Sequence, residues 1–413
     1  MAHNKKLALA LASLSLLGAG AAHAVDIPAG DWKLSIGGNV NGFITSDSCE
    51  KNAKNISFGL ACTGDSTFGI QNGLLPNEIS FSASTRQDDL DINATISLWP
   101  TITTQSAGQT NAGGLNSRQG FFTFGDKSWG TVKIGRDLGL FGSDAILSDM
   151  TLLSVGGGSG STVDGGGNHV YGGPTTLGRI GEGYLYADWI PQVTYSTPNL
   201  NGFTASAGVF QGLANLTTAG YTSLKQPGVQ AKAAYDFSGS GVNAHVWVGF
   251  LTQKLDVPAG TTNGPAGYSA SAGEIGAKVD IADFQAVAYY YDADGVGTTL
   301  EFLGGDDGQG NKRKSKGGYL QGTYKIGKVK LGLSYGESKL DGTSYDQSIG
   351  YNLGSVATPT YLLSKNDSSI ASLYYSLTKS ITLVGEYIHT SAKDQVGNEN
   401  KQDTIALGGI IFF

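Results

Sequence analysis

Asp89-Leu90-Asp91-Ile92-Asn93-Ala94-Thr95-Ile96-Ser97-Leu98-Trp99 sets Leu90, Ile92, Ala94, Ile96 and Leu98 on one parity against Asp91, Asn93, Thr95 and Ser97 on the other. Side chains of a β-strand point alternately to its two faces, so this is a strand with one apolar and one polar face. The second face is too polar for a protein core. The preceding run, Glu78 to Arg86, repeats the pattern with Ile79, Phe81 and Ala83 against Glu78, Ser80, Ser82, Ser84 and Arg86. Further upstream, Leu34, Ile36, Val40 and Ile44 oppose Lys33, Ser35, Asn39 and Asn41.

Downstream, comparable runs fall at Arg118–Gly125, Thr131–Asp137, Asp188–Thr197, Gly202–Gln211, Gly228–Phe237, Val242–Leu255, Gly273–Ile281 and Phe284–Asp292. They continue at Gly317–Ile326, Val329–Ser338, Ser369–Leu377, Ile381–Thr390 and Thr404–Phe413, which brings the expected number to sixteen. The connections alternate in length. Tight turns sit near 87–88, 126–128, 199–201, 238–240, 282–283, 327–328 and 378–380, and longer loops are expected over 46–77, 101–117, 212–227, 256–272, 293–316, 339–367 and 391–403. Short turns at one rim and long loops at the other are the pattern of a transmembrane barrel. Lipid outside and water inside satisfy both faces, and closure pairs every edge. The expected fold is therefore all-β, a 16-stranded antiparallel transmembrane β-barrel with a lumen wide enough for an aqueous channel.

Composition agrees. The chain carries 63 glycines and only 2 methionines and 10 prolines, with 19 tyrosines and 16 phenylalanines, which favours strands and turns. Lys5 and Lys6, the apolar run Leu7–Leu17 and Ala22-His23-Ala24 read as a signal peptide over 1–24, so the barrel domain is 25–413. Two of the 27 basic residues lie in that leader, leaving 25 against 34 acidic ones, a formal charge of −9. An acidic balance argues against nucleic acid as a partner. Cys49 and Cys62, the only cysteines, are read as a disulfide closing a small loop, since two thiols are too few ligands for a metal. Tyr289, Tyr290, Tyr291, Tyr374, Tyr375, Trp99, Trp189 and Tyr195 are expected at the membrane interfaces.

One connection is anomalous. From Gly135-Arg136-Asp137-Leu138-Gly139-Leu140-Phe141-Gly142 to Asp188 there is no convincing alternation for about fifty residues, and so long a segment in a compact fold is functional or disordered. Ala145 to Leu153 suggests a short helix, which Asp144 or Asp149 could cap. The Gly-rich Gly156–Gly167 lacks the lysine and the strand-to-helix setting of a phosphate loop. The histidines of the exported chain, His169, His245 and His389, have no serine or carboxylate motif beside them, so no enzymatic role and no cofactor are expected.

Taken together, these residues resemble the Gram-negative general porins of the trimeric, sixteen-stranded type found in β-proteobacteria. Trp129-Gly130-Thr131-Val132-Lys133-Ile134-Gly135-Arg136, Phe141-Gly142-Ser143-Asp144-Ala145-Ile146-Leu147, Val193-Thr194-Tyr195-Ser196-Thr197-Pro198 with Gly202-Phe203, and the terminal Phe413 carry the resemblance. The opening Trp32-Lys33-Leu34-Ser35-Ile36-Gly37-Gly38 and the length added by Gly156–Gly173 depart from it. The resemblance implies an outer-membrane homotrimer in which the long third loop folds into the lumen and its acids face a basic wall. On the wall the polar parity selects Arg86 and Lys133, with Arg118 and Arg136 next; on the loop the acids are Asp144, Asp149, Asp164 and Glu182. It further implies passive diffusion of ions and small hydrophilic solutes, with a porin selective for a small anion, organic acid or sugar as the alternative. Partners implied are the bilayer, lipopolysaccharide, which the run Asn311–Lys316 could contact, and the barrel-assembly machinery, which would read Phe413.

Overall fold

A computed structural model describes residues 24–51, 54–62, 64, 66–102, 115–157, 162–163, 169–170, 175–214, 225–257 and 267–413. Almost all of the expected leader, Asp164 and most of Gly156–Gly173 lie outside the described residues. Among the described residues, sixteen strands form a closed antiparallel barrel: β1 Trp32–Cys49, β2 Glu78–Gln87, β3 Leu90–Pro100, β4 Leu115–Asp126, β5 Gly130–Leu138, β6 Trp189–Ser196, β7 Phe203–Phe210, β8 Gly228–Gly239, β9 Val242–Leu255, β10 Tyr268–Ile281, β11 Phe284–Asp294, β12 Lys314–Ile326, β13 Val329–Leu340, β14 Tyr361–Ser376, β15 Ile381–Asp394 and β16 Glu399–Phe412. Each pairs with its neighbours in sequence, and β1 closes the ring on β16 from Asn39↔Phe412 to Cys49↔Gln402. Cys49 and Cys62 are joined by a disulfide with the Cα atoms 5.5 Å apart.

Two-residue hairpins at Asp88-Asp89 and Ser240-Gly241 place both residues at positive φ, the geometry that matches the twist of paired strands. At the opposite rim several strands run past the ends their apolar alternation predicts. The loop expected over 391–403 shrinks to 395–398, because β15 and β16 keep pairing as far as Lys393↔Glu399. Beyond the apolar band the outward positions turn polar, so hydropathy stops reporting a ladder that backbone hydrogen bonds continue.

The two faces differ throughout. Val246, Val248 and Phe250 on β9 and Leu331, Leu333 and Tyr335 on β13 are exposed, while Gln230, Glu274, Gln321, Ser338 and Glu386 on the other parity are buried. A belt of exposed apolar side chains around polar inward ones fits a barrel in lipid. The expected aromatic belt needs correction. Tyr290 and Tyr195 are exposed, but Tyr289, Tyr291, Tyr374 and Trp99 are buried on the inner side, where Tyr289 and Trp247 stack with ring centroids 6.3 Å apart, and Trp189 is buried with its ring 5.1 Å from that of Trp99. Parity separates Tyr290 from its two neighbours; aromatic character alone does not.

The wall is interrupted once beside β1. β2 pairs with Lys33–Asn39 and the short strand Thr67–Gln71 pairs with Phe43–Asp47. Residues 72–77 between them are buried and bonded through asparagines: Asn41 N donates to Asn77 Oδ1 at 2.7 Å and Asn41 Nδ2 to Leu75 O at 2.7 Å. This excursion meets the third loop.

Candidate functional site at the third loop

Residues 139–188 connect β5 to β6, and Gly139 N donates to Asp188 O at 2.9 Å to pin the two ends together. From there the chain follows the inward side chains of successive strands. Leu140 N donates to Gln230 Oε1 of β8 at 2.5 Å and Gly142 N to Glu274 Oε2 of β10 at 2.9 Å. Helix α1, Ser143–Ser148, starts at Gly142 in the left-handed conformation without a side-chain cap. Tyr319 of β12 donates to Ala145 O at 2.8 Å, and Gln321 accepts from Met150 N at 2.7 Å. A 3-10 turn, Met150–Leu153, follows, with Asp149 as its N-cap. Tyr374 of β14 donates to Met150 O at 2.7 Å. Glu386 of β15 then accepts from Ser154 Oγ, Val155 N and Gly156 N at 2.7, 2.9 and 3.0 Å. Finally Leu74 N, in the excursion between the first two wall strands, donates to Ser154 O at 2.8 Å.

One glycine on the wall and one on the return limb of the loop leave room for this track. A Cβ on Gly332 would meet Met150 Sδ at 2.5 Å, and one on Gly178 would meet Leu74 Cδ2 at 2.5 Å. The return limb packs through Tyr184, whose hydroxyl donates to Asp149 Oδ2 at 2.9 Å, and through Tyr186 N, which donates to Thr299 O at 2.9 Å. The residue bonded by Tyr186 belongs to a second long connection, 295–313, whose Val296 and Phe302 share one apolar cluster with Tyr184 and Leu185.

The residues singled out in the sequence occupy different environments. Asp144 is buried in an ion pair with Lys232 at 2.8 Å, with His245 Nε2 at 3.6 Å. Asp149 is enclosed: its carboxylate accepts from Thr151 N, Thr151 Oγ1 and Tyr184. Glu182 is fully buried, and loss of hydration pushes its carboxyl up to about 7. Lys133 is paired with Asp137 on the same strand. Arg118 stands at a register shift between β3 and β4, 5.0 Å from the Trp99 ring centroid and within 3.4 Å of Tyr186 Oη. Arg86 lies at the turn rim, ion-paired with Asp91 at 2.8 Å and Asp126 at 3.0 Å. Arg136 shares the parity of Ile134, opposite Pro191, and donates from Nε to Trp189 O. Phe413 is exposed at the end of β16, held by reciprocal backbone bonds with Gly38. In the run Asn311–Lys316, Arg313 is buried and bidentate to Asp346 at 2.7 and 2.8 Å rather than solvated.

Sequence reasoning missed the wall residues that hold the loop: Gln230, Glu274, Gln321, Tyr374 and Glu386. All lie on the polar parity, which is a signal, but nothing local distinguishes an anchor from a solvated neighbour.

A closed barrel of sixteen strands, apolar outside and polar inside, defines a transmembrane channel of the outer-membrane type. The sequence profile described as Gram-negative porin matches residues 8–395, so the chain belongs to the Gram-negative porin family. It is an outer-membrane channel for passive diffusion of ions and small hydrophilic solutes. No curated protein matches it in sequence. Similar solved structures include the outer membrane channel DcaP of Acinetobacter baumannii, 16% identical with a TM-score of 0.66, covering 94% of this chain and 99% of that one. OmpF of Salmonella typhi in complex with daunomycin is 15% identical with a TM-score of 0.58, covering 94% and 100%. OmpT of Vibrio cholerae is 14% identical with a TM-score of 0.54, covering 94% and 100%. At these identities the likeness is one of fold.

Proposed function

We propose that residues 139–188 fold into the lumen and set the narrowest part of the water path of a general-diffusion porin. The observation that carries this is the run of loop-to-wall bonds from Gln230 through Glu274, Gln321 and Tyr374 to Glu386, all on the parity opposite the exposed apolar belt. A narrow water path between low-dielectric walls focuses the field of the charges beside it, so few residues decide which ions pass. In this reading Asp144 is the loop acid nearest wall cations, with Lys133 and Arg118 on the wall and Arg86 at the turn-side mouth. Asp149 and Glu182 shape the loop from within. The working unit is a homotrimer in the bilayer, contacting lipopolysaccharide at its outer rim, with Phe413 read by the assembly machinery. A trimer form of Vibrio cholerae OmpT, similar in fold with a TM-score of 0.51, supports the trimer. No catalytic step is part of this reading.

A solute-selective channel is the second reading, favoured by the connection 295–313. Glu301 in that segment is buried with neither carboxylate oxygen hydrogen-bonded, and burial together with Asp188 and Glu274 pushes it well above the usual carboxylate range. Planar-bilayer recording separates the two. Conductance that rises in proportion to salt supports general diffusion; saturation at low solute concentration supports selectivity; silence would remove both.

A further inference from the structure

We infer that Lys278 on β10, Lys325 on β12 and Lys330 on β13 form an anion-collecting site on the turn side of the third loop, fitted to small multivalent oxyanions. The inference rests on the channel reading above. Parity places all three on the inward face: Ile275 and Ile281, Leu320 and Tyr324, and Leu331 and Leu333 are the exposed residues of the same strands, at the opposite parity. Lys325 and Lys330 are directly opposed in the β12–β13 ladder. Lys278 pairs with Val287, which pairs in turn with Gln321, the residue that binds Met150 N and Ser148 O of the third loop.

Lys330 fixes the level of the site. Its Nζ lies 4.3 Å from the centroid of Tyr374, whose hydroxyl donates to Met150 O. Two residues further along β13, Gly332 abuts Met150. The lysines therefore stand just on the turn side of the 3-10 turn, with Lys278 and Lys325 within electrostatic reach of Lys330.

Their charges are uncompensated, unlike those of their neighbours. Lys133 has Asp137, Lys232 has Asp144, His245 sits between Asp144 and Asp236, and Arg86 has Asp91 and Asp126. Among the described residues Lys278, Lys325 and Lys330 take part in no ion pair. The nearest carboxylate along β10, Asp280, accepts from Gln285 Nε2 at 2.7 Å. Like charges directly opposed across a ladder are unfavourable, so the arrangement is relieved when an anion stands among them. The third loop does not supply one: Asp144 is already paired and Asp149 is saturated by Thr151 and Tyr184. The local field is positive although the whole chain is acidic at −7. Ammonium groups are compact, hydrated point charges with three donors each. Three of them on one stretch of the inward face favour an oxyanion with two or more charges over chloride.

The test uses the full mature chain reconstituted in planar bilayers. In a potassium chloride gradient the reversal potential should show chloride preference. The combined variant Lys278→Gln, Lys325→Gln, Lys330→Gln should lower the chloride-to-potassium permeability ratio by about threefold or more, since pore-lining charges set ion preference. Sulfate added on the turn side should reduce chloride current through the wild type and leave the variant unaffected. Should the triple variant not fold, Lys325→Gln at the exposed turn end should move the ratio the same way by a smaller factor. A conducting channel that prefers potassium and is indifferent to these substitutions would overturn the site while leaving the porin reading intact. Equal sulfate block of both proteins would also overturn it. A silent wild type would overturn the porin reading along with it.

Discussion

On β13, Leu331, Leu333 and Tyr335 face outward and are exposed, while Lys330, Gly332 and Ser334, each one residue away, face inward, Lys330 against the Tyr374 ring and Gly332 against Met150. Both sets obey the same period of two. Outward positions need only be apolar, because lipid makes no directional demand. Inward positions carry specific partners. The outer face thus tolerates exchange among apolar residues and rejects charge, whereas the inner face accepts polarity but is particular about which atom stands where.

The sharpest way to break that contrast is to put a charge outside. Leu333→Arg should cost about 2–4 kcal/mol at the bilayer midplane, read as a lower urea midpoint for the reconstituted barrel. If the cost were negligible, β13 would not face lipid. Next in size is Glu386→Ala, which leaves Ser154 Oγ, Val155 N, Gly156 N and Ser372 Oγ without their acceptor. A buried donor left unpaired costs about 1–3 kcal/mol. The third loop should loosen, and single-channel conductance should rise with added noise, whereas Glu386→Gln should keep part of the anchoring. Unchanged conductance would mean that the loop does not define the path.

A pH titration sharpens the comparison at a third site. Burial lets Glu182 hold its proton up to about 7, above the 4.5 of a free carboxyl. The docked loop therefore binds a proton that the undocked loop releases. Its docking is fully stable below about 4.5 and weakens as pH rises through 7. Channel noise should increase between mildly acidic and mildly alkaline pH, and Glu182→Gln should flatten the response. The smallest effect is expected from Asp144→Asn. Removing the partner of Lys232 frees one more cation, so the chloride-to-potassium ratio should rise by about twofold or less, a smaller step than removing three lysines, since each charge beside the path adds to ion preference.

The fold was legible because its outer face is written in local chemistry. The run from Leu90 to Leu98 needs no knowledge of distant residues to declare its parity, and turns such as Ser240-Gly241 declare themselves by residue type. The third loop was legible as an anomaly and as a resemblance, yet its anchors were not. Glu386 binds residues more than 200 positions away and Gln321 residues more than 170 away. No periodicity encodes such pairs. Arg136 was chosen for its charge and its place at the strand end, while parity sets it opposite Pro191. Lys330 falls within the alternating run Val329–Ser338, but only the ladder reveals that Lys325 lies directly across from it.

The bond between Gly38 and Phe413 gives the barrel a timetable. The first wall strand finds its second neighbour only in the last residues of the chain, from Asn39↔Phe412 to Cys49↔Gln402. A nascent chain must therefore travel with the edge of β1 unpaired until β16 has been delivered. Contacts of such sequence separation form slowly, and an open edge invites pairing with other chains. Truncation by even one strand would leave two such edges, which makes the barrel an all-or-none product of complete synthesis.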